Sequence, residues 1–264
     1  MSNPAETYER DMVSAVFGPW VSLLLEAAKP QSGERVLDLA CGTGIVARRV
    51  APLVGASGQV VGLDLNPAML AVAHSAARRE GVSVEWHEGR LEALPFPKGR
   101  FDLVLCQQGL QFVPEKPQAV SEMHRVLSDG GRVALSIWRS LDHHPFFGAF
   151  NDVLVRHLGI PALASPFALG DADELHLLLT GAGFHEVVIE SKSMTARFPH
   201  PERFIAMEVD VIAAAIPSGQ HLDAQAREDL TRKIEGELAT TIRELTHEGH
   251  LVIPFHAHIA RARR

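Results

Sequence analysis

Arg35-Val36-Leu37-Asp38-Leu39-Ala40-Cys41-Gly42-Thr43-Gly44 is an apolar strand that runs straight into a glycine turn, with a helical pattern behind it from Ile45 to Val50. Glycine has no Cβ and tolerates positive φ, so such a turn lets a ligand approach the main chain. An acid, Asp38, sits near the end of the strand. A second, Asp64, ends the next apolar run, Val60-Val61-Gly62-Leu63-Asp64. Two acids at neighbouring strand ends ask for a ligand whose body is cationic or hydroxylated.

Working outward, strands and helices alternate. Strands are predicted at 35–40, 59–64, 83–87, 101–106 and 131–137, and helices at 44–51, 67–80 and 116–127. Asn66 is a natural N-cap and Pro67 suits the first helical position. Continuous apolar strands alternating with helices imply a parallel sheet covered on both faces. Residues 5–29 read as a helix with Met12, Val16, Trp20, Leu23, Leu24 and Ala27 on one stripe, ended by Pro30 and Gly33. Beyond Trp138 the pattern breaks, then resumes with a helix at 171–181 and a strand at 184–192. Residues 200–248 look helical, interrupted near Pro217-Ser218-Gly219, and 251–260 alternate as a strand.

The chain has 264 residues, 46% hydrophobic and 22% charged, which permits a sizeable core and argues against disorder. Its net charge of −7 argues against a sequence-independent grip on nucleic acid. The basic pairs Arg48-Arg49 and Arg78-Arg79 and the terminal Arg261, Arg263 and Arg264 read as solvated faces. Two cysteines, Cys41 and Cys106, suggest no disulfide framework and fit a reducing cytoplasm. No basic-then-apolar leader and no unbroken apolar run of ~18 residues is evident, so no membrane span is expected. The fourteen histidines are scattered without metal-site spacing.

Read alone, Gly42-Thr43-Gly44-Ile45-Val46-Ala47 also fits the G-x-G-x-x-A dinucleotide fingerprint, with Asp64 placed for a ribose 20 residues after Gly44. The wider sequence points elsewhere. Asp38 to Gly44 resembles the D/E-x-G-x-G-x-G motif of class I S-adenosylmethionine (SAM) methyltransferases, and Val61 to Leu70 resembles their second-strand motif. Leu91-Glu92-Ala93-Leu94-Pro95-Phe96 with Phe101 to Cys106 is similar to their third-loop and fourth-strand motifs. Arg125 to Arg132 resembles their helix and double-glycine turn before strand five. Four motifs in order cover about residues 34–137, and the core is similar to that of quinone-biosynthesis C-methyltransferases.

The resemblance implies a Rossmann-like α/β fold: a seven-stranded sheet in the order 3-2-1-4-5-7-6, strand seven antiparallel, helices on both faces and a helical lid. It implies one SAM-methyltransferase domain over 1–264, with core 31–138, 171–192 and 250–262 and lid insertions 139–170 and 193–249. SAM, converted to S-adenosylhomocysteine, is expected at the carboxyl ends of strands one and four, where the order reverses. No metal is expected.

In that role Asp38 faces the ammonium, and the N–H groups of the Ala40-Gly42-Gly44 turn favour the carboxylate. Asp64 accepts both ribose hydroxyls, and Leu65 and Met69 sandwich the adenine. Ala40 replaces the first motif glycine. Arg90 stands where related sequences often have an Asp that accepts from the adenine amino group. Arginine cannot accept, so either the adenine relies on the main chain at Leu91, or Arg90, kept among the cofactor-binding candidates, stacks on the ring or points away. Gln107, with Gln108, borders the sulfonium. Tyr8, Phe17 and Trp20 lie on a helix that closes over the cofactor in similar enzymes.

Methyl transfer is an in-line displacement in which the protein mainly aligns the reactants. No catalytic residue is assigned; His143 and His144 are weak candidates for a base. Trp138, Phe146, Phe147, Phe150, Phe167, Phe198, Phe204 and Phe255 suggest an apolar pocket for a small-molecule acceptor. Neither an Asn/Asp-Pro-Pro-Tyr motif nor a Pro-Cys nucleophile is present, so nucleic-acid bases are not the expected acceptors. An O or N atom of a small organic acceptor is the leading expectation. A quinone-type C-methyltransferase and a SAM-binding module without transferase activity are the alternatives. The oligomeric state stays open, homodimer included.

Overall fold

The computed structural model describes residues 4–215 and 223–264. The expected break near Pro217-Ser218-Gly219 lies outside the described residues. The chain divides into two compact units, residues 1–138, 169–192 and 257–264 forming one and residues 139–168 and 193–256 the other.

The first unit is doubly wound. Its N-terminal helix is made of α1 (Pro4–Thr7), a π-helical stretch (Tyr8–Phe17) and α2 (Gly18–Ala28). Then follow β1 (Arg35–Leu39), α3 (Ile45–Val54), β2 (Gln59–Asp64), α4 (Pro67–Glu80), β3 (Glu85–Glu88), β4 (Phe101–Gln107), α5 (Lys116–Val126) and β5 (Leu127–Trp138). Later elements are α6 (Pro145–Leu158), α7 (Ala172–Gly181), β6 (His185–Phe198), α8 (Pro201–Ala215), α9 (Ala224–Leu245), β7 (Thr246–His247) and β8 (His250–Arg263). The sheet order is β3-β2-β1-β4-β5-β8-β6, with the two-residue β7 paired only to β8. Counting β8 as the seventh main strand gives the expected order, and β8 runs antiparallel to β5. The short β7 brings the total to eight.

Side-chain parity divides the core. Leu37 and Leu39 of β1 join Val61, Leu63, Val104 and Cys106 under α5 and α7. Val36 joins Val60, Leu103 and Leu105 on the other face, under α2 and α3. Asp38 shares the parity of Val36 and so faces α3. The cap expected for α4 is present, with the Asn66 side chain accepting from the Ala68 N–H at 2.9 Å.

Three expectations change in detail. The N-terminal helix buries Val13, Val16, Trp20, Val21, Leu24 and Ala28, while Met12, Leu23 and Ala27 are half-buried. The π winding, with the Gly18 N–H bonded to the carbonyl of Val13, shifts the stripe. It ends at Phe17, and α2 continues from Gly18 with Pro19 in its first turn, where a missing N–H costs least. The third strand is Glu85–Glu88 rather than 83–87, a half-exposed edge and not a continuous apolar run. β5 begins at Leu127, paired with Phe101, before the register slips past the double glycine and resumes with Arg132 opposite Leu103.

Arg48 also departs from its solvated reading. It is 4% exposed and joins Glu9 of the N-terminal helix at 2.6 Å and Glu80 of α4. The N-terminal helix, Pro4–Ala28, is long and apolar enough to cross a membrane by length and composition alone, contrary to the expectation from unbroken runs. In this structure its apolar side is taken up by the first unit.

The second unit has an aromatic core. Phe204 of α8 packs on Phe146 of α6 and on Phe198, with centroids 5.7 and 4.6 Å apart. Phe147 packs on Phe255 and Phe167 at 5.1 and 5.7 Å. α9 buries Leu230, Ile234 and Leu238, four residues apart, and its Glu237 pairs with Arg156 and His157 of α6. Most of the phenylalanines expected to line an acceptor pocket therefore contact one another.

Candidate cofactor site

The turn after β1 is built by two acids and one large ring. Asp38, 1% exposed, accepts the Ala47 N–H through Oδ2 at 2.9 Å and so holds the first turn of α3. Burial pushes its carboxyl up to about 8; the Ala47 bond pulls against this and Asp64 adds to it. Asp64 accepts from the Gly42 N–H at 2.7 Å and from the Asn66 N–H at 2.8 Å. Each of its oxygens keeps acceptor capacity for a further donor.

The two motif glycines have different reasons to be glycine. Gly42 has φ +54, and a Cβ there would meet only the Tyr8 ring at 3.9 Å, so this position stays approachable. Gly44 has φ +81, and a Cβ there would lie 2.4 Å from the Trp86 indole. Gly44 is required by strand β3's tryptophan, and its N–H is taken by the Cys41 carbonyl at 2.8 Å. Ala40 keeps the left-handed φ of +50 at the position where the motif has glycine.

The N-terminal helix covers this turn. Tyr8, Phe17, Asp38, Gly42, Thr43 and Gln107 line one narrow cavity of ≈ 30 Å³. Tyr8 stacks near Phe17, and the Gln107 Nε2 donates to the Phe17 carbonyl at 2.9 Å. Burial, with the charge of Asp64 behind it, pushes the Tyr8 hydroxyl above its ordinary value. A larger hollow of ≈ 640 Å³, lined by Pro52, Gly58, Gln59, Gly81 and Glu85, lies at the amino ends of β2 and β3. The narrow cavity, unlike the larger hollow, lies at the carboxyl ends of the strands, where ligands of doubly wound sheets bind.

The remaining expected residues fall around this centre. Leu65 is 56% exposed beside Asp64, and Met69 is half-buried on α4. Arg90 is exposed and reaches Glu92 at 3.3 Å, so it takes no part in the turn. The Leu91 side chain is buried in the core, which leaves only its main chain for a ligand. Sequence reasoning gave no role to Thr43, whose buried Oγ1 has no partner among the described residues. Nor did it see the structural use of Arg48.

His144 is not a base in waiting. Its Nδ1 bonds the Ser140 carbonyl at 3.1 Å and its Nε2 accepts the His256 N–H at 3.0 Å, so both nitrogens are committed. Burial pushes it down to about 4. His143 faces the Arg139 guanidinium at 2.7 Å. Among the described residues no group of three or more His, Cys, Asp or Glu could hold a metal ion.

The residues fit SAM by chemistry: a buried acid for an ammonium, an oriented carboxylate for a vicinal diol, an approachable Gly42 and an exposed leucine for a base. The comparisons agree. Residues 36–131 match the family described as methyltransferase domain. The 2-phytyl-1,4-naphtoquinone methyltransferase of Synechococcus elongatus is 39% identical over 145 residues, 53% of this chain and 59% of that protein. A ubiquinone/menaquinone biosynthesis C-methyltransferase of Escherichia fergusonii is 34% identical over 168 residues, 63% of this chain and 66% of that one. The chain thus spans about three fifths of the first of these relatives. Among solved structures, a putative methyltransferase from Bacillus halodurans has a TM-score of 0.61 at 23% identity, covering 92% of this chain and 97% of that one. The cyclase SpnF has a TM-score of 0.58 at 23% identity, covering 94% and 80%. At such identities the likeness is one of fold. Residues 36–131 thus carry the methyltransferase-domain match, and the strand order is the one implied by the resemblance to class I SAM-dependent methyltransferases.

Proposed function

We propose that this protein transfers the methyl group of SAM to a small organic acceptor. The observation that carries the reading is the pair Asp38 and Asp64 flanking Gly42, each carboxylate already oriented by a main-chain N–H. Bound SAM supplies an electrophilic methyl on a positive sulfur. Asp38 then holds the ammonium, Asp64 the ribose hydroxyls, Leu65 and Met69 the adenine, and the main chain of Leu91 its edge. Ala40, Gly42 and Gly44 shape the turn, and Gln107 borders the methionine end. Arg90 is dropped from the set, since its guanidinium is engaged at the surface with Glu92. A ligand of this size needs a pocket of ~300 Å³ or more, so the Tyr8–Phe17 stretch moves outward when it enters.

Between the acceptor atoms expected, a ring carbon of a quinone-type molecule has the support of the two named relatives. The O or N reading has no comparable support, and His144 is withdrawn as its base. The lid reading of 139–170 and 193–249 is carried forward on the sequence pattern alone. A reducing, cytoplasmic setting is supported by Cys41 and Cys106, both free and buried.

Calorimetric titration with S-adenosylhomocysteine, SAM and NAD tests the cofactor. Both sulfur ligands should bind and NAD should not. Asp64→Ala should weaken S-adenosylhomocysteine by ~1–3 kcal/mol, the value of lost hydrogen bonds to a charged group; unchanged affinity would remove the ribose assignment. Methyl transfer to a naphthoquinol, against none to a phenol or amine of equal size, separates ring carbon from O and N.

A further inference from the structure

Eight buried side-chain nitrogen and oxygen atoms have no hydrogen-bond partner among the described residues, and four of them belong to Gln107, Gln108 and Gln111. These residues lie within five positions at the carboxyl end of β4. Gln111 is 2% exposed and has neither amide atom paired; Gln108 is 6% exposed with Oε1 unpaired; Gln107 likewise has Oε1 unpaired. Buried polar atoms are nearly always partnered, and leaving one unpaired is costly, so a local concentration demands a reason.

The turn is built to hold these amides still. Gln108, with φ +47, donates its N–H to the Ser136 carbonyl at 2.7 Å and its Nε2 to the Ser136 Oγ at 2.5 Å. Both ends of the residue are thus fixed to one position of β5. Gly109 cannot carry a Cβ, which would lie 2.4 Å from the Cβ of Ala40 and 3.0 Å from the Cys106 Sγ. Gln111 is then presented from a single 3-10 turn, Leu110–Phe112, anchored by the buried Leu110. The stretch begins at Gln107, which lines the cofactor cavity with Asp38 and Gly42.

We infer that Gln108 and Gln111 hold the methyl acceptor and select a neutral molecule that carries a hydroxyl or N–H group. The inference rests on the methyl-transfer reading. The unpaired set is three carbonyl oxygens and one amide nitrogen, so its complement is rich in donors. No residue from 107 to 111 is charged, so nothing in the stretch rewards an ionised ligand. A site that hydrogen-bonds a hydroxyl rejects the analogue lacking it, because its own buried groups are then left unpaired.

The test uses the full chain with S-adenosylhomocysteine bound, under anaerobic conditions, and two probes: 1,4-dihydroxynaphthalene and 1,4-dimethoxynaphthalene. The protein should bind the diol at least tenfold more tightly. Gln111→Leu should abolish that preference, leave S-adenosylhomocysteine affinity unchanged, and not lower the Tm of the free protein, since it removes a buried unpaired amide. Gln111→Met, closer in shape, repeats the measurement should the leucine variant not fold. Equal binding of the two probes, no binding of the diol, or a preference that survives in Gln111→Met overturns the inference. So does a lowered Tm with the preference intact, which marks an amide satisfied by structural water. Failure of the unmutated protein to bind S-adenosylhomocysteine instead removes the underlying methyl-transfer reading.

Discussion

The carboxyl ends of β1 and β2 differ from those of β4 and β5 in how their polar side chains are treated. At the first pair, Asp38 accepts the Ala47 N–H of α3, and Asp64 accepts the N–H groups of Gly42 and Asn66. At the second, Gln108 is fixed by Ser136 while the Gln111 side-chain amide has no partner among the described residues. An unpaired buried carboxylate is far more costly than an unpaired amide. The acids proposed to meet the cofactor are therefore oriented by the fold itself, whereas the amides proposed to meet the acceptor are left unpaired at lower cost. The same contrast separates the two motif glycines: Gly42 is open toward the cavity, and Gly44 is closed by Trp86.

The sharpest way to break this comparison is at Gly44. Gly44→Ala combines a left-handed alanine with a clash against Trp86, together roughly 2–5 kcal/mol of lost stability. Gly44→Ala with Trp86→Leu should recover part of that loss in denaturant unfolding and still bind S-adenosylhomocysteine. A double variant as unstable as the sum of its parts would mean that Trp86 is not the constraint.

Asp38 offers a pH test of the next size. Its carboxyl is raised to about 8 in the folded protein, against an ordinary value of 3.8. Between those values the unfolded chain has lost its proton and the folded one has not, so this group's contribution to stability falls as pH rises through the window. The slope is at most about 1.4 kcal/mol per pH unit. Glu208 of α8, raised to about 7 by burial, adds a slope of the same sign. Asp38→Asn keeps an oxygen for the Ala47 N–H, so it should flatten part of the fall in Tm between pH 5 and 8; an unchanged slope removes the buried-acid description. The smallest expected effect is at Ala40. Ala40→Gly relieves the left-handed strain but loosens the unfolded chain, for a net gain of up to about 1 kcal/mol. A net loss in a denaturant midpoint would show that the packing of its methyl beside Gly109 matters more.

Much of the cofactor region was legible because its causes are local or periodic. Strand parity, the Asn66-Pro67 start and the acids after β1 and β2 are visible in a line of residues. The role of Gly44 was misplaced because its reason, Trp86, lies 42 positions away on a strand that pairs with β2 and not with β1. His144 looked available because its partner, the His256 N–H, comes from the far end of the chain. The stripe on the N-terminal helix slipped because a π winding is not written in a 3.6-residue period.

The sequence by itself determined the alternation of strands and helices and the two acids after β1 and β2, while the order of the strands came with the family resemblance. Apolar periodicity, capping residues and a motif run over adjacent positions, so each can be read without knowing what folds against what. Tertiary structure alone decided which glycine is closed by a neighbour, which arginine becomes a buried clasp, which histidine is consumed, and which glutamines stay unpaired. Those are properties of contacts between residues distant in the chain, and the partner of a buried polar atom is defined only once the chain has folded.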